Sequence, residues 1–79
     1  MPDEFDTLSF RVSPENLRGA IEILREGGGL ARYPQAYQAL VLERSRRELL
    51  APPKEIHLAR GVFDALPHSV QQLLAAEPS

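Results

Sequence analysis

The segment Thr7-Leu-Ser-Phe-Arg-Val12, followed at once by Ser13-Pro14-Glu15-Asn16, decides the fold of this chain. Apolar and polar residues alternate strictly along its first six positions, which is typical of a β-strand with one buried and one exposed face. The apolar side consists of Leu8, Phe10 and Val12, and the polar side of Thr7, Ser9 and Arg11. No convincing partner strand follows in the sequence. Because an unpaired strand leaves backbone N–H and C=O groups without hydrogen bonds, we expect residues 7–12 to pair with a second copy of the chain.

A first helix is predicted at residues 14–26. Ser13 is a favourable N-cap, and Pro14 at the first helical position has no N–H to lose. The next apolar residues recur at the spacing of one helix face and are Leu17, Ala20, Ile21 and Leu24. The glycines at positions 27–29 end this helix, because glycine readily adopts the left-handed conformation that helix ends require.

A second helix is predicted from near Pro34 to Leu50 or Ala51, where Pro52-Pro53 ends it. Its apolar side is formed by Ala36, Tyr37, Leu40 and Val41. After Pro67, the spacing of the apolar residues predicts a short terminal helix.

Residues 55–59 fit two structures. Ile56, Ala59, Phe63 and Leu66 have helical spacing, interrupted by Gly61. Ile56 and Leu58 also alternate with polar neighbours, which indicates a strand instead. Both readings stay open at this point.

The length and composition predict one small domain. The chain has 79 residues and no cysteine, and its formal net charge is −2. A chain of this size buries only about 60% of its unfolded surface, and without cysteine it has no disulfides, so association of copies is the remaining route to stability. No apolar run approaches the roughly 20 residues of a membrane span, and the acidic start is not a signal peptide. We therefore expect a cytoplasmic protein with no membrane partner.

The charges are distributed unevenly. Residues 1–6 hold three acidic side chains, and we expect this tail to be disordered. Residues 7–50 hold seven arginines and five glutamates, a balance of +2, and residues 51–79 sum to −1. The overall acidity argues against a strongly electrostatic nucleic-acid binder, although the central segment is mildly basic.

No set of residues predicts catalysis. His57 and His68 are the only histidines, and Pro67 breaks the helix that would align His68 with Asp64. Cysteine is absent, and the sequence offers no set of a nucleophile, a base and a group that orients the base. We expect no enzyme, no metal site and no cofactor.

A strand, a helix, a glycine turn and a second helix within residues 7–51 resemble the ribbon-helix-helix repressors of the Arc and MetJ type. The segment Leu8–Pro14 is similar to the family's strand and its entry into the first helix, and Gly29 falls at the usual inter-helix glycine. The resemblance implies a mostly α fold with one N-terminal strand: an intertwined dimer in which two copies of the strand form an intermolecular antiparallel ribbon, with residues 52–79 as a partly helical C-terminal extension. The dimer core it implies is Leu8, Phe10, Val12, Leu17, Ile21, Leu24, Tyr37, Leu40 and Val41.

The same resemblance implies a homodimeric, sequence-specific DNA-binding protein, either a transcriptional repressor or an autoregulating antitoxin. The outward strand residues Thr7, Ser9 and Arg11 would read double-stranded DNA in the major groove, where arginine can bind guanine with two hydrogen bonds. Backbone N–H groups around Ala31–Tyr33 would hold a phosphate, and Arg32 would add charge. In antitoxin members of the family an extension such as residues 52–79 binds a protein partner.

An alternative belongs to another functional class. If Glu55–Ala59 pairs with Thr7–Val12 in the same chain, the protein is a small protein-binding module or inhibitor with no nucleic-acid affinity. The acidic balance and the lack of a Ser, Thr or Asn cap before Pro34 favour this alternative.

Overall fold

The computed structural model describes residues 6–76, so the predicted disorder of residues 1–5 lies outside the described residues. The fold is mostly helical, with one two-stranded sheet. Its elements, in chain order, are β1 (Thr7–Phe10), α1 (Pro14–Glu26), α2 (Gly29–Arg32), α3 (Pro34–Glu48), β2 (Ile56–Ala59), α4 (Arg60–Asp64) and α5 (His68–Ala75).

Helix α1 confirms the prediction for residues 14–26. The Ser13 hydroxyl accepts a hydrogen bond from the backbone N–H of Asn16 at 3.2 Å, as an N-cap should. The helix ends at Glu26, and the left-handed backbone falls on Gly28 and Gly29, with φ of 125° and 57°. These two glycines open α2, a short helix that the sequence pattern did not predict.

Helix α3 begins at Pro34, as predicted, and ends at Glu48. Its end is closed by two backbone hydrogen bonds, from Leu50 N–H to Arg47 C=O and from Ala51 N–H to Arg46 C=O, both 3.0 Å. This is the Schellman arrangement, which needs a left-handed residue at the position of Leu50. Leu50 has φ 65° there, where glycine is the usual residue.

Strand β1 has its partner in the same chain. It pairs antiparallel with β2 in the register Thr7↔Ala59, Leu8↔Leu58, Ser9↔His57 and Phe10↔Ile56. The predicted intermolecular two-stranded ribbon is therefore wrong, and residues 56–59 are strand. The physical reason is that Ile56 and Leu58 alternate in step with Leu8 and Phe10, so pairing brings four apolar side chains to the core side of the sheet.

One hydrophobic core joins α1, α3 and α5 to the sheet. The buried apolar residues are Val12, Leu17, Ala20, Ile21, Leu24, Ala36, Leu40, Ile56, Leu58, Leu66, Val70 and Leu74. Helix α5 packs along α1, where the Asn16 side-chain amide donates to the Leu73 carbonyl at 3.1 Å. Residues 52–76 therefore complete the core of the domain.

The residues predicted for a dimer core are distributed differently. Val12, Leu17, Ile21, Leu24 and Leu40 are buried within the single chain. Leu8, Phe10, Tyr37 and Val41 are half-buried. Phe10 stacks on Phe63 with ring centroids 4.9 Å apart. Within the single chain, the five buried side chains already share a core with residues of β2 and α5. The homodimer itself stays a prediction.

Candidate protein-binding surface

The predicted DNA-reading residues lie together on the solvent side of the sheet. Thr7, Ser9 and Arg11 are all exposed. The Ser9 hydroxyl lies 2.8 Å from Nδ1 of His57, its cross-strand neighbour on β2. Arg11 and Glu55 border the same groove beside the paired residues, so an acidic side chain lies near the arginine of this face.

Arg32 and Tyr33 lie in a different place. They border a groove with Gly61 and Leu66, whereas Arg11 borders two other grooves. The Arg32 guanidinium carbon is 5.9 Å from the centre of the Tyr33 ring, within cation–π range.

Two of the three N–H groups predicted to hold a phosphate donate hydrogen bonds within the chain. The N–H of Ala31 donates to Gly28 C=O at 3.2 Å, and that of Tyr33 donates to Gly29 C=O at 2.8 Å. The cause is the short helix α2, which uses both donors internally. Pro34, the next residue, has no N–H.

The largest exposed apolar side chains lie elsewhere. They are Leu30, Leu42, Leu49 and Leu50, with exposed fractions of 57%, 62%, 82% and 92%. Leu30 on α2 and Leu42 on α3 border one shallow groove of about 310 Å³ together with Tyr37, Gln38, Val41 and Ser45. Leu49 follows Leu42 by two helical turns and so lies on the same side of α3. We call this surface the α3 outer face: Leu30, Tyr37, Gln38, Val41, Leu42, Ser45 and Leu49.

The α3 outer face is uncharged over its first half, and Glu48, which follows Val41 by two helical turns, borders its second half. None of its seven residues is ionisable near neutral pH, and the helical segment Pro34–Leu42 contains no charged residue at all. Its opposite side supplies Ala36 and Leu40 to the core. A helix with apolar residues on opposite sides normally packs against other elements on both sides. The exposed apolar side of α3 is therefore the candidate interaction surface.

The α3 outer face was not predicted from the sequence, because the predicted apolar side of α3 is a single stripe. The missed signal is local: Leu42 falls outside the predicted stripe of Ala36, Tyr37, Leu40 and Val41. An apolar residue at such a position, in a segment without charges, indicates a helix with two contact surfaces.

Charge is concentrated in the second half of α3, around a buried carboxylate. Within residues 6–76, Glu43 is the one charged residue classed as buried, at 5% exposure. Its Oε1 accepts from Arg46 Nη1 at 2.9 Å, and its Oε2 accepts from Arg47 Nε at 2.7 Å and from the Lys54 backbone N–H at 2.9 Å. Burial by itself raises the pKa of Glu43, but these three hydrogen bonds and the charge of Arg47 outweigh it and lower the pKa below its ordinary value. The carboxylate therefore fastens the loop after α3 to the helix.

The described residues, 6–76, contain neither a cluster suited to a metal ion nor a membrane-spanning helix. No group of three or more acidic or histidine side chains there could hold a metal ion. None of the described helices is long and apolar enough to cross a membrane.

No family model matches the chain, and neither a curated protein nor a solved structure gives a significant match. The resemblance to the ribbon-helix-helix family stays a prediction, and the function is argued from the surfaces described above.

Proposed function

We propose that this chain is a small protein-binding module that contacts its partner through the α3 outer face. The observation that carries the proposal is the exposure of Leu30 on α2, of Leu42 on α3 and of Leu49 at the end of α3. Single exposed leucines are common on protein surfaces, whereas a contiguous exposed apolar patch marks an interaction site.

The chemistry of the face defines the partner that fits it. A groove bordered by leucine, tyrosine and valine, with one amide and the hydroxyls of Tyr37 and Ser45, suits the apolar side of a helix. A strongly charged partner gains nothing here, since the face offers no opposite charge. Burying each exposed leucine would contribute up to about 1.5–3 kcal/mol.

Site-specific photo-cross-linking tests the proposal. A photoreactive amino acid is placed at Leu42, and in a matched control at Arg18, an exposed residue of α1. We expect discrete protein adducts from the Leu42 position and none above background from the Arg18 position. Equal labelling at both positions, with the fold verified by circular dichroism, would contradict a binding role for this face.

DNA binding is a second proposal, supported by one observation. Thr7, Ser9 and Arg11 are exposed together on an antiparallel two-stranded ribbon, an element that the major groove can admit. The net charge of −2 and the proximity of Glu55 to Arg11 weigh against it. If the protein binds DNA in this way, it acts as a transcriptional repressor or as an antitoxin.

Fluorescence anisotropy with duplex DNA over a range of salt concentrations separates the two proposals. A DNA-binding function requires affinity that falls as salt rises and a loss of about 1–3 kcal/mol of specific binding on Arg11→Ala. Absence of binding at low salt would end the DNA proposal and leave the protein-binding proposal untouched.

A further inference from the structure

We infer that a second groove of this protein, between residues 11–14 and residues 50–55, binds a short extended peptide in which apolar and acidic side chains alternate. We call it the strand-end groove, because it lies where β1 and β2 part. It shares no residue with the α3 outer face. This binding site therefore goes beyond the proposed function, and neither of the two depends on the other.

The groove exists because the two strands stop pairing early. The last paired residues are Phe10 and Ile56. Two residues before Ile56, the backbone N–H of Lys54 donates to Oε2 of Glu43 at 2.9 Å and is lost to the ladder. Residues 52–53 are both proline and have no N–H to offer. The segments beyond the last pair therefore border a groove of about 840 Å³.

Val12 lines this groove and favours an extended ligand. Among the described residues, 6–76, neither the N–H nor the C=O of Val12 has a hydrogen-bond partner. An extended peptide can supply both partners by continuing the ladder that Lys54 leaves, as in other cases of strand addition. A helix cannot, because it uses its own backbone groups internally. The unpaired backbone therefore favours an extended peptide over a helical one.

The charges at the groove favour acidic side chains in the peptide. Arg47 lines the groove, but its charge is compensated by Glu43, with Nε and Oε2 2.7 Å apart. Arg11 and Lys54 make no ion pair with any residue in the described part of the chain. Glu55 is the one acidic residue among the described residues of the lining. Two uncompensated cations thus face one carboxylate, and an acidic ligand complements that balance.

The alternation along the chain sets the spacing of the peptide's side chains. Val12 is buried, whereas the preceding Arg11 is exposed. Successive side chains of a strand point to opposite sides, and neighbours on paired strands share a side. A peptide paired here places one side chain beside the apolar Val12 and Pro14 and the next beside Arg11. Apolar and acidic residues should therefore alternate in it.

Leu50 supplies an apolar anchor on the other side of the groove. Its backbone has φ 65° and its side chain is 92% exposed. Residues held in such sparsely populated conformations concentrate at ligand-binding sites, where the surrounding structure maintains them. Contact with an apolar side chain of the peptide removes this leucine from water, which is favourable.

Fluorescence anisotropy with two labelled hexapeptides tests the groove. One alternates leucine with aspartate, and its matched control alternates leucine with lysine. We expect the leucine–aspartate peptide to bind with a Kd below about 1 mM and the control to bind about tenfold more weakly or less. The amide NMR resonances of Val12 and Lys54 should shift with the first peptide. No binding at about 1 mM, equal binding of both peptides, or shifts confined to the α3 outer face overturns the inference.

Two variants separate the groove from the stability of the fold. Leu50→Gly removes the anchor and relieves the backbone, so it should weaken the leucine–aspartate peptide about tenfold in a protein no less stable than wild type. Lys54→Glu should weaken it similarly by reversing a charge. Arg32→Glu, the matched control, reverses a charge at a different groove and should leave the affinity unchanged. Unchanged affinity in either groove variant, or an equal loss in Arg32→Glu, overturns the inference.

Backbone methylation of the peptide tests the extended pairing itself. The N–H groups of a strand point alternately toward its two sides. Two versions of the leucine–aspartate peptide are therefore methylated on alternate backbone nitrogens, one version for each side. At least one of them should bind about tenfold more weakly than the parent peptide. Affinity that neither pattern of methylation changes overturns the proposed main-chain pairing.

Discussion

Glu43 shows how one side chain can hold two segments together. It joins Arg46 and Arg47 of α3 to the backbone of Lys54, and Arg46 also donates to the Pro52 carbonyl at 3.2 Å. The loop between α3 and β2 is thereby fixed, which places β2 in register with β1. The ionised form of this carboxylate is the one that makes these contacts.

The pH dependence of stability follows from the lowered pKa of Glu43. Its contribution is complete above the ordinary glutamate value of 4.5 and is lost as pH falls through the lower folded-state pKa. We expect Glu43→Gln to lower the free energy of unfolding by about 1–3 kcal/mol at pH 7, with a smaller difference from wild type in acid. Urea unfolding at pH 7 and pH 3 measures both.

The matched control for Glu43→Gln lies on the same helix. Glu48 is exposed and its carboxylate lies 4.0 Å from Arg44. Glu48→Gln should change the free energy of unfolding by no more than about 0.5 kcal/mol. Equal losses in the two variants would assign the effect to the net charge of α3 and not to the buried network.

Leu50 illustrates backbone strain at a single residue. A leucine at φ 65° is disfavoured relative to glycine, and the exposed side chain recovers little through packing. We expect Leu50→Gly to raise the free energy of unfolding by about 0.5–1 kcal/mol. Leu49→Gly is the control, because Leu49 has φ −89° and glycine should destabilise that position. Thermal unfolding of the two variants should therefore shift in opposite directions.

At the scale of elements, the packing of α5 shows whether the last third of the chain belongs to the folded domain. Its contacts with α1 are close: a Cβ built on Gly19 would lie 3.4 Å from Leu73 Cδ1. Leu74, which lies on the buried side of α5, is 1% exposed. Helix α5 is therefore part of the core of the domain.

Truncating Leu74 tests that role. Leu74→Ala removes a buried side chain and should lower the free energy of unfolding by about 2–5 kcal/mol, measured by urea unfolding followed at 222 nm. Gln72→Ala, on the exposed side of α5, should cost less than about 0.5 kcal/mol. A Leu74→Ala variant as stable as wild type would mean that α5 is dispensable for the fold.

At the scale of the whole molecule, local signals in the sequence were more informative than long-range ones. Ser13, Pro14 and the apolar spacing that follows predict α1 to the residue, and Pro34 marks the start of α3. Caps, prolines and helical periodicity act over a few residues, so a single sequence contains them in full. Helix α5 after Pro67 follows from the same kind of signal.

The strand that pairs with β1 could not be predicted from such local signals. Ser9 and His57 are 48 residues apart, and only a shared core makes their strands pair. The alternation of Ile56 and Leu58 was visible, but helical spacing through Ala59 and Phe63 competed with it. The candidate site was missed for a related reason, because the exposure of Leu42 depends on which side of α3 the rest of the chain covers.

The long separation between the two strands also has a consequence in time. The helices α1, α2 and α3 are encoded between β1 and β2, so during synthesis they can form while β1 has no neighbour. At about 5–20 residues per second, the ribosome adds the intervening residues in roughly 2–10 s. Strand β1 therefore leaves the ribosome first but is among the last elements to form its hydrogen bonds. In a nascent chain released before residue 56, β1 would have no partner strand.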